Sequence, residues 1–201
     1  MRLFVALAPP AFVVADLDNT CAPFRGLRPD LRWTSTEAWH VTLAFLGEVD
    51  EERLARLMPR MDRAARRHTA FSLSFIGAGA FPSAARANVL WTGLAGDRRA
   101  LADLAATVNA GAQRAGAAPP DAGRRFHPHL TLARCRPPAN VAQIVASLDG
   151  YQGPSWAADE ICLIRSRLTG QPRFETLGAY QLRAPRQSPS GAPAPQSRAD
   201  H

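Results

Sequence analysis

Short apolar runs and alternating apolar and polar residues predict eight strands along the chain. The clearest alternation places Phe71, Leu73 and Phe75 between serines, which is typical of a strand with one buried face. Residues 40–46 show a strong strand pattern that ends at Gly47. The eight predicted strands span residues 2–8, 31–34, 40–46, 71–75, 88–91, 129–135, 160–168 and 174–182.

Apolar residues three or four positions apart predict four helices between these strands. Pro10 suits the first turn of the first helix. Asp50 and Asn140 are expected to cap two others, and the remaining helix follows Asp97. Pro59 lies inside the second helix and is expected to kink or break it. Mixed strands and helices with several antiparallel neighbours indicate the α+β fold class.

The composition of the 201 residues points to one folded domain with a basic charge. Residues 1–182 are expected to form a single bilobal domain, and the Pro-, Ser- and Ala-rich residues 183–201 a disordered tail. The formal net charge is +7, which attracts polyanions such as nucleic acid. All 24 Lys+Arg residues are arginine. The absence of lysine excludes Schiff-base catalysis, a P-loop lysine and a covalent lysyl adenylate.

Three widely spaced cysteines, with no C-x-x-C pair, indicate neither a disulfide framework nor a zinc ribbon. Such cysteines fit a reducing compartment, so we expect a cytoplasmic protein. No apolar run approaches the roughly 18 residues of a membrane span, and Pro9 and Pro10 interrupt the apolar N-terminus, which argues against a signal peptide. We expect a monomer with no obligate protein partner.

One five-residue word occurs twice in the sequence. Residues 40–44 read His-Val-Thr-Leu-Ala and residues 129–133 read His-Leu-Thr-Leu-Ala, identical at four of five positions. Each copy lies in a predicted strand and is followed by a capped helix. The repeat therefore indicates two similar lobes, each contributing one strand to a common cleft.

Each copy carries a histidine and a threonine on one face of its strand, because side chains two residues apart point the same way. His40 and Thr42 form one pair, and His129 and Thr131 form the other. Two imidazoles with a pKa of about 6.5 can act as proton donor and proton acceptor near neutral pH. Threonine hydroxyls can donate to phosphate oxygens. The four side chains favour phosphoryl chemistry without a metal ion.

Three other interpretations stay open from the residues alone. His40, His127 and His129 could bind zinc, although no cysteine, His-Glu-x-x-His word or carboxylate accompanies them. Asp16 and Asp18 belong to an Asp-x-Asp-x-Thr word after an apolar segment, which resembles the first motif of haloacid-dehalogenase-type phosphatases. That resemblance would make Asp16 the nucleophile and Asp18 the acid/base of a Mg²⁺-dependent enzyme. The basic charge also fits a non-catalytic RNA-binding module.

The two His-x-Thr words resemble the signature of the 2H phosphoesterase superfamily. More closely, the chain resembles the bacterial RNA 2′,3′-cyclic phosphodiesterases, also called 2′-5′ RNA ligases. The resemblance covers residues 1–182 and implies a bilobal α+β fold, in which two pseudo-symmetric lobes of antiparallel strands with outer helices surround a central cleft. The matching segments are 1–7, 31–33, 39–49, 79–82, 128–134 and 163–166.

The resemblance also implies a mechanism that uses no metal and no cofactor. His40 would be the general acid that protonates the departing ribose 3′ oxygen, and His129 the general base that activates water. Thr42 and Thr131 would hold the phosphate. The implied substrate is RNA with a 2′,3′-cyclic phosphate end and the product a 2′-phosphomonoester, together with reversible, ATP-independent 2′-5′ RNA ligation.

Two further residues are candidates for substrate binding. Arg134 resembles the family's arginine after the second motif, but simple alternation puts it on the opposite face from His129 unless the strand ends or bulges there. Phe4 could stack a base or could pack in the core. The family often has a tyrosine near the final strand where this chain has Arg173 and Phe174, so no hydroxyl is available there for a hydrogen bond.

Overall fold

The computed structural model describes residues 1–117, 126–167 and 173–185. Within these ranges the chain forms nine strands, four α-helices and two short 3-10 helices, which confirms the α+β class. The strands are β1 (Arg2–Leu7), β2 (Arg32–Trp33), β3 (Val41–Glu48), β4 (Phe71–Phe81), β5 (Ala87–Gly96), β6 (Leu130–Ala139), β7 (Trp156–Ala158), β8 (Glu160–Ser166) and β9 (Phe174–Gln181). The α-helices are α1 (Ala11–Leu27), α2 (Glu51–Ala65), α3 (Arg98–Arg114) and α4 (Ala142–Ser147).

The strands form one antiparallel sheet in the order β7-β4-β5-β6-β3-β1-β8-β9, and β2 also pairs with β6. Four strands on each side of the β3–β6 boundary make up the two lobes that the repeat predicts. The first lobe contains β3, β1, β8 and β9, and the second contains β6, β5, β4 and β7. The lobes meet through the pairing of Val41 with Leu130, the middle residues of the two His-x-Thr words.

The main core lies between the sheet and the helices. In β1, the side chains of Leu3, Val5 and Leu7 belong to this core and are at most 1% exposed. Burying one such side chain contributes roughly 1.5–3 kcal/mol, so the strand is held firmly against the helices. Phe4 and Ala6 point the other way and belong to a separate, smaller cluster. We call the face of the sheet that carries Phe4 and the motif histidines the cleft face.

Both motif strands, β3 and β6, have an irregularity in their pairing at the equivalent leucine of the repeat. The pairing of β1 with β3 skips Leu43, and the pairing of β5 with β6 skips Leu132. Each leucine and the alanine after it are buried, so strict alternation of faces stops there. In β3 this shift puts Phe45 on the same face as Thr42, although the two residues are three positions apart.

The predicted helices form, with differences at their ends. Asp50 caps α2 by accepting a hydrogen bond from the backbone N–H of Arg53 at 2.8 Å. Asn140 accepts a hydrogen bond from the N–H of Ala142 at 3.0 Å, so α4 begins just beyond it. Asp97 precedes α3 but makes no capping hydrogen bond from its side chain to that helix.

Pro59 does not break α2, which runs continuously past it. The proline lies on the exposed side of the helix, where water can satisfy the carbonyl that it leaves without a partner. On the opposite side, Leu57 and Met61 are fully buried and hold the helix to the core. Tertiary packing therefore overrides the local preference of proline.

The folded part of the chain extends past residue 182. Arg183 forms a parallel bridge with Thr69, and its N–H donates to the carbonyl of His68 at 2.9 Å. The predicted tail therefore cannot begin at residue 183, and residues 186–201 lie outside the described residues. Among the described residues, no helix combines the length and the apolar character needed to cross a membrane.

Candidate active site

His40 and His129 share one local geometry. Nδ1 of His40 lies 2.7 Å from the carbonyl oxygen of Ala38, and Nδ1 of His129 lies 2.7 Å from the carbonyl oxygen of His127. A carbonyl oxygen can only accept a hydrogen bond, so Nδ1 of each ring carries a proton and donates it. The same tautomer is thereby set in both rings, and Nε2 of each is left to take up or release a proton.

The antiparallel junction of the lobes sets the order of the motif side chains. β3 and β6 run in opposite directions, and Val41 of β3 pairs with Leu130 of β6. The residue that precedes the paired residue in one strand therefore lies beside the residue that follows the paired residue in the other strand. His40 is therefore next to Thr131, and His129 is next to Thr42. Both threonines are half-buried, so the four predicted side chains are brought together at the junction.

Aromatic rings surround His40. The ring centre of Phe4 lies 4.7 Å from that of His40, and Phe174 meets the imidazole edge-on at 5.5 Å. Phe4 is only 4% exposed, so it supports the imidazole and has almost no free surface on which a base could stack. This burial contradicts a stacking role for Phe4 and agrees with packing. Phe45, 52% exposed and 6.3 Å from Phe4, is an accessible ring on this side.

A different set of rings surrounds His129. Phe81 meets it edge-on at 5.2 Å, and the rings of Trp91 and His127 are each 6.1 Å away. Trp91 lies against Gly79, where a Cβ atom would come within 2.3 Å of the indole. A groove of about 410 Å³ continues from His127 and Trp91 along the second lobe.

Burial lowers the pKa of both motif imidazoles below the ordinary histidine value of 6.5. The hydrogen bond to the backbone carbonyl opposes this in each ring, because it is stronger when the ring is cationic. Nearby positive charges lower each pKa further, Arg134 and His129 for His40, and His127 and Arg134 for His129. Both rings are therefore mainly neutral at pH 7, and a bound anion would raise both pKa values.

Arg134 shares the cleft face with Thr131. The irregularity at Leu132 shifts the alternation by one residue, which is the condition under which this arginine reaches the motif histidines. Its charge lowers the pKa of His40 and of His129, so the guanidinium lies within electrostatic reach of both. The side chain is exposed and therefore accessible to an anion.

Sequence reasoning assigned no role to Phe45, Phe81 or Trp91. Phe45 holds the position after the first word that Arg134 holds after the second, so extending the repeat by one residue would have found it. Phe81 lies in the matching segment 79–82, which could have pointed to it, whereas Trp91 lies in no matching segment. The pairing of strands brings both rings to the second histidine. Phe174 supplies an aromatic ring, without a hydroxyl, where the family often has tyrosine.

The phosphatase interpretation of Asp16 and Asp18 is wrong, because both residues lie inside α1 and not at the end of a strand. The hydroxyl of Tyr151 donates to Asp16 at 2.8 Å, and Asp18 is paired with Arg25, so both carboxylates are already engaged. The zinc interpretation also lacks support, since the described part of the chain contains no group of three or more His, Cys, Asp or Glu side chains suited to a metal ion.

Residues 15–170 match the family model of the 2'-5' RNA ligase superfamily. The chain belongs to this superfamily. An Escherichia coli relative named RNA 2',3'-cyclic phosphodiesterase is 34% identical over 185 residues, which cover 90% of this chain and 96% of the relative. A Thermus thermophilus relative with the same name is 31% identical over 192 residues, which cover 91% of each chain.

Solved structures show the same superfamily fold. A crystal structure of a Thermus thermophilus protein superposes with a TM-score of 0.76 at 28% identity, covering 92% of this chain and 99% of that one. Escherichia coli LigT in apo form gives a TM-score of 0.72 at 28% identity, covering 90% of this chain and 97% of LigT. A structure of LigT complexed with 3'-AMP gives 0.68 at 28% identity, with the same coverage.

Proposed function

We propose that the chain hydrolyses the 2′,3′-cyclic phosphate at the end of an RNA, with His129 as general base and His40 as general acid. Membership of the 2'-5' RNA ligase superfamily supports this activity, as do the relatives named RNA 2',3'-cyclic phosphodiesterase. The observation that carries the proposal is a pair of imidazoles with one tautomer, one from each lobe, beside a single strand junction.

Phosphoryl transfer needs the attacking and leaving oxygens roughly in line on opposite sides of phosphorus. Two imidazoles from pseudo-symmetric lobes suit this requirement, because each can serve one side. Nε2 of His129 takes a proton from water as the new P–O bond forms, and protonated Nε2 of His40 gives its proton to ribose O3′ as the P–O3′ bond breaks. The product is a 2′-phosphomonoester. Each proton transfer typically contributes about 10²–10⁴-fold.

Thr42, Thr131 and Arg134 are the proposed ligands of the phosphate. Two hydroxyls and a guanidinium can donate to the non-bridging oxygens, whose negative charge is retained in the transition state. The bound phosphate anion in turn raises the pKa of His40, so the acid form of this residue is populated when the substrate arrives. No metal ion or cofactor is needed in this scheme.

The same geometry supports a second reaction of the cyclic phosphate, with a different nucleophile. If the 5′-hydroxyl of a second RNA replaces water, attack on the cyclic phosphate forms a 2′-5′ phosphodiester without ATP. The chain has no lysine that could carry an adenylate, so ATP-driven ligation through a lysyl intermediate is closed to it. Water is far more concentrated than RNA ends, which favours hydrolysis.

The proposed site is complete within one copy of the chain. Both imidazoles and all three proposed phosphate ligands come from β3, β6 and the residues next to them. We therefore propose a monomeric enzyme whose partner is the RNA itself.

The test is hydrolysis of an oligoribonucleotide ending in a 2′,3′-cyclic phosphate in the presence of EDTA. We expect the wild type to form a 2′-phosphate, and His40→Ala and His129→Ala each to lose about 10²–10⁴-fold in kcat. His68→Ala is the matched control, because His68 lies after α2, away from the strand junction, and its ring is hydrogen-bonded to the hydroxyl of Thr107 in α3. This variant should retain the wild-type rate.

Two outcomes would contradict the proposal. Turnover that appears only after Mg²⁺ is added would overturn the metal-free two-histidine mechanism. Tight RNA binding without turnover under any condition would favour the non-catalytic RNA-binding module. Far-UV circular dichroism of each variant shows whether a lost rate reflects lost chemistry or a lost fold.

A further inference from the structure

Two arginines lie directly opposite each other at the edge of the proposed active site. Arg32 of β2 is the cross-strand partner of Arg134 of β6. Residues directly opposite in an antiparallel pair point to the same face, with Cβ atoms about 4.5–5.5 Å apart. Because Arg134 lies on the cleft face, Arg32 lies there too.

Like charges in this arrangement are unfavourable for the sheet. Both side chains are exposed, and within the described ranges neither forms an ion pair with a carboxylate. Arg28, four residues before Arg32, is by contrast paired with Asp30 at 2.7 Å. Two neighbouring guanidinium groups that no carboxylate of the described residues neutralises provide a binding surface for neighbouring anionic groups of one ligand.

β2 is short, but its backbone is held by defined contacts. The N–H of Thr34 donates to the carbonyl of Leu132 at 2.8 Å, and the indole Nε1 of Trp33 donates to the carbonyl of Arg28 at 3.1 Å. Neither bond involves the side chain of Arg32. That side chain can therefore be replaced without removing the contacts that hold β2 in place.

We propose that Arg32 binds the internucleotide phosphate on the 5′ side of the terminal nucleoside. This phosphate is the neighbour of the cyclic phosphate that Arg134 is proposed to bind. This inference rests on the proposed function and adds a residue that selects RNA ends over mononucleotides. Contacts to backbone phosphates supply much of the affinity of RNA-binding surfaces and carry no sequence preference.

Arg32 and Arg134 differ in how strongly their charges act on the two motif histidines. The charge of Arg134 is among the main causes that lower the pKa of both motif histidines, whereas the charge of Arg32 is not. Arg32 therefore acts more weakly than Arg134 on the two imidazoles, which fits a contact to the neighbouring phosphate and not to the reacting one. An RNA strand that leaves the site over β2 would bring its next phosphate toward Arg32.

The test uses two dinucleotides that end in a 2′,3′-cyclic phosphate, one with a phosphodiester linkage and one with a neutral methylphosphonate linkage. We expect the wild-type kcat/KM to be about fivefold higher for the phosphodiester, the scale of an exposed charge pair. In Arg32→Gln the ratio should fall to about one, and the salt dependence of log kcat/KM should lose about 0.7 in slope, as for one single-strand phosphate contact.

Arg63→Gln is the matched control, because it removes the same charge from an exposed position on α2. It should keep the wild-type ratio, which separates a local contact from a change in net charge. A ratio retained by Arg32→Gln, whether or not both rates fall, would overturn the inference. If the wild type hydrolyses adenosine 2′,3′-cyclic phosphate but shows no preference between the linkages, the inference fails and the proposed function stands. If it hydrolyses none of these substrates, both fail.

Discussion

His40 and His129 occupy equivalent positions in the two lobes, with the same strand irregularity and the same hydrogen bond from Nδ1. Their neighbours differ. In the first lobe the position after the irregularity holds Phe45, whereas in the second lobe the equivalent position holds Arg134. One half of the site is therefore mainly apolar, and the other carries the positive charge.

This difference separates what the repeated backbone does from what the side chains do. The backbone of each lobe presents one imidazole with Nε2 available. A second arginine in place of Phe45 would lower the pKa of His40 further and make the proposed acid harder to protonate. In the proposed site one cation, Arg134, therefore binds the phosphate, while the first lobe keeps its imidazole away from additional positive charge.

The assignment of His40 as general acid and His129 as general base can be tested with a substrate whose leaving group needs no proton. If sulfur replaces the bridging 3′ oxygen of the cyclic phosphate, the leaving thiol has a pKa near that of cysteine, about 8.5, and leaves readily as an anion. We expect His40→Ala to recover about 10²–10³-fold on this substrate relative to the oxygen substrate, and His129→Ala less than about tenfold. Single-turnover rates measure both, with the wild type on both substrates as the reference. Recovery in His129→Ala alone would reverse the assignment.

The difference in charge between the two lobes can be tested by substituting the two equivalent residues, Phe45 and Arg134. Arg134→Gln removes the cation from the proposed phosphate site and should lower kcat/KM about 10²-fold. Phe45→Leu keeps the position apolar and should lower it by less than about tenfold. Equal losses in the two variants would contradict different roles for the two positions.

The pH dependence of kcat/KM is a second measurement on the Arg134→Gln variant. Burial and nearby positive charges lower both imidazole pKa values, so the wild-type optimum of kcat/KM should lie below 6.5. Without the charge of Arg134 both pKa values rise, so the acid limb of His129 and the alkaline limb of His40 both move to higher pH. Imidazole titration by NMR should show the same direction. An optimum that stays in place or moves down would contradict this electrostatic coupling.

The smallest expected effect concerns the aromatic wall of the second lobe. Gly79→Ala would place a Cβ atom within 2.3 Å of Trp91, so the indole must move. We expect the free energy of unfolding to fall by about 2 kcal/mol in urea denaturation. Gly26→Ala is the matched control, since it has open space in α1 and should raise stability by about 0.5–1 kcal/mol. Equal effects of the two substitutions would mean that Trp91 is not held against β4.

Elements with a regular pattern were predictable from the sequence, and elements that depend on a partner were not. The alternation after Phe71 locates β4, and the apolar spacing after Asp50 locates α2. Strand β7 has three residues and no repeating pattern, and it exists because it pairs with β4. The break that Pro59 led us to expect in α2 does not occur, because the local preference of proline carries no information on the buried residues that hold the helix.

The order of residues along the chain was enough to predict the α+β class and the two lobes and to single out His40 and His129 as candidates, because periodicity and repetition can be read directly from the linear sequence. Folding in three dimensions was needed to establish that Arg134 shares their face, that Phe4 is buried and that Phe81 joins the site. These three facts depend on a strand irregularity, on burial and on strand register. Each of them arises from contacts between segments that are far apart in the sequence.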